Sequence, residues 1–91
     1  MIGKKMTIRE FQELIDQKYG KHDRERGTDR TFLWFMEEVG ELATALAGDD
    51  QANKAEEFGD VFAWLCTLAN INGVDLTAAV QRYKTRDDGY K

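Results

Sequence analysis

The sequence predicts an all-α fold, a four-helix bundle organised around a central antiparallel helical hairpin. The chain has no proline, its apolar residues make up 42% of the composition, and they recur at helical spacing between glycine-containing connections. Its 91 residues are too few for more than one domain, so residues 1–91 are predicted to share a single small core.

The first helix is predicted to begin after Thr7, which forms a capping box with Glu10. Apolar residues then follow at helical spacing up to Tyr19 and Gly20, where a glycine is expected to end the helix. The next stretch, GKHDRERGTDR (residues 20–30), is polar and bracketed by glycines, which predicts a loop.

The second helix is predicted to be capped by Thr28 or Asp29, to run to about Ala47 and to end at Gly48. It is apolar around much of its circumference. Its apolar residues cannot all face neighbouring helices of one chain; they include Leu33, Trp34, Phe35, Ala43, Ala45 and Leu46. We therefore expect oligomerisation to complete the bundle, as a homodimer or a dimer of dimers.

The third helix is predicted to start at a capping box of Asn53 and Glu56 and to stop at Asn72 and Gly73. Asp75 then caps a shorter fourth helix that extends to about Tyr83. Apolar stripes follow helices two and three: Phe32, Phe35, Met36, Val39, Leu42, Ala43 and Leu46 on the former, Phe58, Val61, Phe62, Leu65, Leu68 and Ala69 on the latter.

A short acidic motif occurs twice, as EEVGEL (residues 37–42) and EEFGDV (residues 56–61). The formal net charge is -4, from 17 acids and 13 bases; without the six acids of the repeat, 11 acids face 13 bases. The motif therefore predicts a cationic partner, while the charge gives no indication of nucleic-acid binding. A glycine inside a helix costs about 1 kcal/mol relative to alanine, so Gly40 and Gly59 predict close approach of another helix or of a partner hairpin.

Helical phase places Glu38 and Glu41 on one flank of helix two, and Glu57 and Asp60 on one flank of helix three. Antiparallel packing would bring the four carboxylates together, where a divalent cation would offset their repulsion. An oxygen-only ligand set favours Mg²⁺ or Mn²⁺ over zinc, and the single histidine, His22, lies outside it, which argues against a diiron site. The alternative is a pair of solvated acidic helix faces, as we expect for the outward-pointing Glu37 and Glu56.

The segments EEVGELATAL and KAEEFGDVFAWLCTLA resemble the MazG family of nucleoside triphosphate pyrophosphohydrolases, which carry E-E-x-x-E on one helix and E-x-x-D on the next. The resemblance covers about residues 32–86 and implies Mg²⁺ ligands at Glu38, Glu41, Glu57 and Asp60. It also implies hydrolysis of a nucleoside triphosphate between the α and β phosphates, to a monophosphate and pyrophosphate. Glu38 is the residue predicted to activate the water, although the metal itself can lower the pKa of that water.

Trp34 precedes Glu38 by four residues and Trp64 follows Asp60 by four, so both indoles are predicted to lie at one end of the carboxylate site. They could clamp a nucleobase or, alternatively, fill the core or a subunit interface. Lys54, Lys84 and Arg86 are candidates for binding phosphate oxygens, and could equally be ordinary solvated charges.

Two rival functions remain: a phosphoribosyl-ATP pyrophosphohydrolase of the same superfamily, and a non-catalytic helical oligomerisation or regulatory module. Cys66 is the only cysteine, and the N-terminal residues lack the apolar segment of a secretory signal. We therefore expect a cytoplasmic protein that binds a nucleoside triphosphate and no membrane.

Overall fold

A computed structural model describes residues 3–85, which form four α-helices and no strand. The elements are α1 (Ile8–Arg26), α2 (Thr28–Ala47), α3 (Gln51–Ile71), α4 (Leu76–Ala79) and a short 3-10 helix (Gln81–Lys84). The predicted all-α fold is thus confirmed. Within this range no single helix is long and apolar enough to cross a bilayer. Helix α3 and the segment after it have the length and composition of a membrane span only when taken together, as a pair with a sharp bend between them.

Helix α1 begins at the predicted capping box, in which the Glu10 backbone N–H donates to Thr7 Oγ1 at 3.1 Å. The predicted end at Gly20 is wrong, because the helix continues for six further residues. Gly20 is buried, and a Cβ atom there would collide with Asp16 Oδ1 and Arg24 Nη1. Those two side chains form an ion pair of 2.7 Å across the glycine. Gly20 therefore makes room for a contact inside the helix rather than ending it.

The predicted loop over residues 20–30 is reduced to one residue, Gly27, between α1 and α2. Its φ of +87° lies in the left-handed region that glycine adopts without strain. Thr28 and Asp29 fall inside α2, and no side chain caps the start of that helix, so the predicted cap is wrong. The chain turns sharply at Gly27, and α2 follows α1 almost immediately.

Helices α2 and α3 form the predicted antiparallel hairpin. Three facing pairs show the direction, because residue numbers rise on α2 as they fall on α3: Trp34 with Trp64, Glu38 with Asp60, and Glu41 with Glu57. Helix α2 ends at Ala47 as predicted. Helix α3 starts two residues before the predicted cap, because Asp50 rather than Asn53 supplies the capping oxygen, to the Asn53 N–H at 3.1 Å.

Helix α3 is the central element, since it packs against α2 on one side and α1 on the other. Gln12 of α1 donates to Asn70 Oδ1 at 3.0 Å and to the Val74 carbonyl at 2.8 Å, and accepts from the Leu76 N–H at 3.0 Å. These bonds fix α1 to the end of α3 and to the start of α4. Asp75 caps α4 as predicted, but α4 is only four residues long.

The apolar surface of the hairpin is wider than this chain can cover. Fully buried apolar residues in the described range are few: Ile15, Ala45, Cys66 and Ala69. Large members of the predicted stripes are instead exposed, namely Phe32 at 49%, Met36 at 47%, Leu46 at 50%, Phe58 at 56% and Leu65 at 39%. These apolar side chains are therefore not covered by the other helices of the described residues.

The two glycines of the acidic repeat face open space. No heavy atom lies within 4 Å of a Cβ built on Gly40 or Gly59, once the helix's own neighbouring backbone is set aside. Close approach by another helix of the same chain is therefore wrong as an explanation of these glycines within residues 3–85. Approach by a second copy stays a prediction.

Candidate functional site

Four acids meet across the α2–α3 hairpin. One carboxylate oxygen from each of Glu38, Glu41 and Glu57 lies within 4.8 Å of the other two. Asp60 is not part of this group, but its charge acts on both Glu38 and Glu57. The structure thus brings three of the four predicted residues within 4.8 Å, with the fourth near enough for its charge to act on them, and we call the four the carboxylate cluster.

The carboxylate cluster carries unbalanced negative charge. Burial raises the pKa of Glu38, the neighbouring Glu41 and Asp60 raise it further, and a hydrogen bond from the Trp64 indole opposes these effects. Burial likewise raises the pKa of Glu57, with Glu41 and Asp60 as the next causes. The ion pairs within residues 3–85 all lie elsewhere in the molecule. No lysine or arginine of the described chain therefore neutralises this cluster by a direct ion pair.

The cluster has the chemistry of a site for a hard divalent cation. Glu57 Oε2 is buried and has no hydrogen-bond partner in the described residues, which is costly for a carboxylate oxygen. Two oxygens on opposite sides of Mg²⁺, each about 2.1 Å from the ion, are about 4.2 Å apart, so spacings up to 4.8 Å need only small side-chain rotations. Donor type and spacing both fit Mg²⁺ or Mn²⁺.

The two tryptophans lie together at the end of the hairpin nearest α1, as predicted. Their ring centroids are 5.6 Å apart, and the rings meet edge to face at 89°. Because the two rings are perpendicular and in contact, a base cannot stack between them in this arrangement. Substrate binding by Trp34 and Trp64 stays a prediction, but by contacts other than stacking of a base between the two rings.

Arg26 joins the tryptophans to helix α1. Its guanidinium lies 4.7 Å from the Trp34 ring centroid and 5.2 Å from that of Trp64. Its Nε donates to Thr31 Oγ1 at 2.9 Å and its Nη2 to Asp23 Oδ1 at 2.6 Å. We call Asp23, Arg26, Thr31, Trp34 and Trp64 the arginine–tryptophan cluster.

Sequence reasoning missed both Arg26 and Asp23, because it placed them in a polar loop. The spacing of an acid and a base three residues apart is typical of a helix face. That spacing was the available signal that residues 20–26 continue α1.

The two predicted phosphate-binding residues that the structure describes, Lys54 and Lys84, lie on different elements. Lys54 is half-buried on α3, one turn before Glu57 and at the end of the cluster away from Trp64. Lys84 is exposed in the 3-10 helix, which packs on α4. Arg86 lies outside the described residues. Glu37 and Glu56 are exposed, as their helical phase predicts.

A family model described as the MazG nucleotide pyrophosphohydrolase domain matches residues 26–87. The matched segment covers more than half of the chain and contains the whole carboxylate cluster, both tryptophans and Arg26. A search among curated proteins found no match.

Proposed function

Because the chain belongs to the MazG nucleotide pyrophosphohydrolase family, we propose that it hydrolyses nucleoside triphosphates between the α and β phosphates. The products are a nucleoside monophosphate and pyrophosphate. The observation that carries the proposal is the convergence of three carboxylates within 4.8 Å, in a cluster with no cation of its own. A solvated acidic helix face would keep its carboxylates apart, since like charges repel.

We propose Mg²⁺ as the physiological ion, with Mn²⁺ as an effective substitute. Glu38, Glu41 and Glu57 would hold it, and Asp60 would bind it directly or through water. The bound ion would neutralise phosphate charge and lower the pKa of a coordinated water. The family is metal-dependent in general, and the oxygen-only donor set supports this choice of ion.

Residues of the chain would take the proton of the water, neutralise the phosphates and contact the nucleoside. Glu38 accepts the proton of the attacking water, because it lies inside the cluster and its pKa is raised by burial and by the neighbouring acids. Lys54, Lys84 and Arg86 neutralise phosphate oxygens that the metal leaves free. Trp34 and Trp64 lie about one helical turn, ~5.4 Å, from the acids, which suits contacts to the sugar or base.

We further propose that a second copy of the chain covers the exposed apolar surface, in a homodimer or a dimer of dimers. The accessible surface is 7062 Å², whereas a compact monomer of this mass exposes about 5,400 Å². The excess per chain is about twice the roughly 800 Å² that one partner buries in a standard protein–protein interface, and is in the range of obligate homodimers. Sedimentation equilibrium tests this proposal, which fails if the chain is monomeric at micromolar concentration.

Pyrophosphate release from a panel of nucleoside triphosphates, with Mg²⁺ and with EDTA, tests the proposed activity. We expect release only with the metal, and its loss in Glu38→Ala with the oligomer intact. Glu37→Ala is the matched control, because its side chain is exposed next to the site. A wild-type protein that releases no pyrophosphate from any triphosphate would favour the non-catalytic helical module instead.

A further inference from the structure

Both helices of the hairpin carry apolar side chains at alternating steps of three and four residues. The pattern consists of Phe32, Phe35, Val39, Leu42 and Leu46 on α2, and of Phe58, Val61, Leu65 and Leu68 on α3. A repeat of seven residues is typical of helices that pack side by side in coiled coils and four-helix bundles. We call these nine residues the heptad seam.

The two rows of the heptad seam lie on the same side of the hairpin. Each row follows the inward-facing residues by one position: Val39 comes directly after Glu38, and Val61 directly after Asp60. One residue turns a helix by about 100°, and because α2 and α3 run in opposite directions, this turn carries both rows to the same side. The antiparallel register then gives four layers, namely Phe32 with Leu68, Phe35 with Leu65, Val39 with Val61, and Leu42 with Phe58.

The helices of this chain leave the heptad seam without cover. None of its nine residues is buried, and Phe32 and Phe58 are about half exposed. Helix α1 packs on a different side of α3, where Phe11 stacks on Phe62 at a centroid distance of 5.7 Å. Residues 3–85 therefore supply only two of the four helices that a core of this pattern needs.

A groove continues the uncovered surface towards α4. It has a volume of about 400 Å³ and meets the seam at Leu65. Its lining is apolar apart from one threonine and comprises Ile8, Phe62, Leu65, Leu76, Thr77 and Val80. Such a lining favours apolar side chains of another polypeptide over a polar ligand.

A second copy of the chain fits this surface in area and in charge. The accessible surface of 7062 Å² exceeds that of a compact monomer by about 1,600 Å², which is in the range that each chain of an obligate homodimer buries. The four layers contain no charged residue, so two identical seams can meet without repulsion.

We propose that the hairpin is one half of a four-helix bundle, and that the hairpin of a second copy packs on the heptad seam with its α2–α3 connection at the opposite end. The volumes of the layers favour this orientation. It places the small layer of Val39 and Val61 against the larger layer of Phe35 and Leu65 in the other copy, whereas connections at one end would put four valines together and leave unfilled volume. The inference rests on the self-association within the proposed function, and it is independent of the proposed hydrolysis.

Lysine substitutions in the seam test the interface by sedimentation equilibrium. Phe32→Lys and Leu65→Lys should each raise the dissociation constant of the dimer at least about 100-fold, because two-fold symmetry repeats the buried charge in both copies. Leu33→Lys is the matched control, since Leu33 is 67% exposed but is turned about 100° away from Phe32, outside the seam. It should leave the dissociation constant unchanged.

The outcomes separate the seam from self-association as such. A dimer that both seam variants retain, or that Leu33→Lys weakens equally, would overturn the inference and leave the self-association intact. A monomeric wild type would defeat both. Circular dichroism checks the fold of each variant, and a distance measurement on the otherwise unchanged chain decides the question if a seam variant unfolds.

That measurement is the distance between spin labels in the two copies. Asp49 lies exposed in the α2–α3 connection and Cys66 is fully buried, so Asp49→Cys provides the thiol that reacts. The proposed pairing of layers puts the two-fold axis level with Glu37, twelve residues from the label. At 1.5 Å per residue the two connections should be about 36 Å apart along the bundle. A distance below about 20 Å would place both connections at one end and overturn the inference, whether or not the protein hydrolyses triphosphates.

Discussion

The two ends of the site differ in how their charges are balanced. In the carboxylate cluster, like charges converge, the pKa values of Glu38 and Glu57 are raised, and Glu57 Oε2 has no partner. One turn away, the arginine–tryptophan cluster holds its own cation, which is bonded to Asp23 and Thr31 and stacked on two rings. The carboxylate cluster lies on the α2–α3 hairpin, whereas Asp23 and Arg26 belong to α1, and of the two clusters only the second contains an ion pair.

This difference indicates that the charged groups at the two ends change the free energy of unfolding in opposite directions. In a buried ion pair each charge compensates the other, so losing one partner leaves an uncompensated buried charge and destabilises the fold. Carboxylates that repel one another destabilise the metal-free fold, so that their arrangement is explained by a ligand. Substitutions at the two ends should therefore change stability with opposite signs.

The largest effect on stability is expected for Arg26→Ala. It leaves the buried Asp23 carboxylate unpaired, which should lower the free energy of unfolding by about 3 kcal/mol. Arg24→Ala is the matched control, because the Arg24–Asp16 pair is about half exposed and solvent screens it, so its loss should cost much less. Urea denaturation measures both. Equal losses would mean that the arginine–tryptophan cluster has no special role in stability.

Glu57→Gln should separate activity from stability. Removing a metal ligand should lower kcat/KM for a triphosphate by about 100-fold, while the melting temperature of the metal-free protein should stay the same or rise because one repelling charge is lost. Glu56→Gln, at the exposed neighbouring position, should leave activity unchanged. A lower melting temperature for metal-free Glu57→Gln would show that the carboxylate stabilises the fold by itself.

The pH dependence of stability should also distinguish the two ends. The pKa values of Glu38 and Glu57 are higher in the folded protein than the ordinary 4.5, so the folded state binds their protons more tightly. Metal-free stability should therefore rise as the pH falls through these raised values towards 4.5. With excess Mg²⁺ the added stabilisation should shrink over the same range, because protons compete with the ion. Thermal unfolding across this range, with EDTA or Mg²⁺, checks both signs.

The smallest effect is expected at the glycines. Gly40→Ala should raise the free energy of unfolding by about 1 kcal/mol, because nothing lies within 4 Å of the new methyl group and alanine is the better helix former. Gly20→Ala should raise it by less, since the ends of the Asp16 and Arg24 side chains must first move away from the new Cβ. If Gly40→Ala instead weakens self-association in sedimentation experiments, a second copy lies against this helix.

The sequence predicted the carboxylate cluster more accurately than the arginine–tryptophan cluster, for a physical reason. Helical phase and a short connection determine which flanks of a hairpin meet, and both are local properties of residues 37–61. The position of Arg26 depends on the continuation of α1 through Gly20, where the Asp16–Arg24 ion pair spans the glycine. A glycine in a charged stretch is also typical of a loop, and only tertiary packing shows whether the chain forms a loop or continues the helix there.

The sequence likewise did not predict which apolar side chains are buried. Apolar periodicity identified the stripes of α2 and α3, but it does not tell which part a neighbouring helix of the same chain covers. Phe32 and Phe58 lie on the predicted apolar stripes and are about half exposed. Their exposure follows from the small number of packing helices in a chain of this length.

Binding of Mn²⁺, measured by isothermal titration calorimetry at pH 7, tests most directly whether the carboxylate cluster is a cation site. Wild type should bind the ion, Glu41→Gln should bind it at least about 10-fold more weakly, and Glu37→Gln should match wild type. Absence of binding in wild type, or equal binding by wild type and Glu41→Gln, would contradict the account.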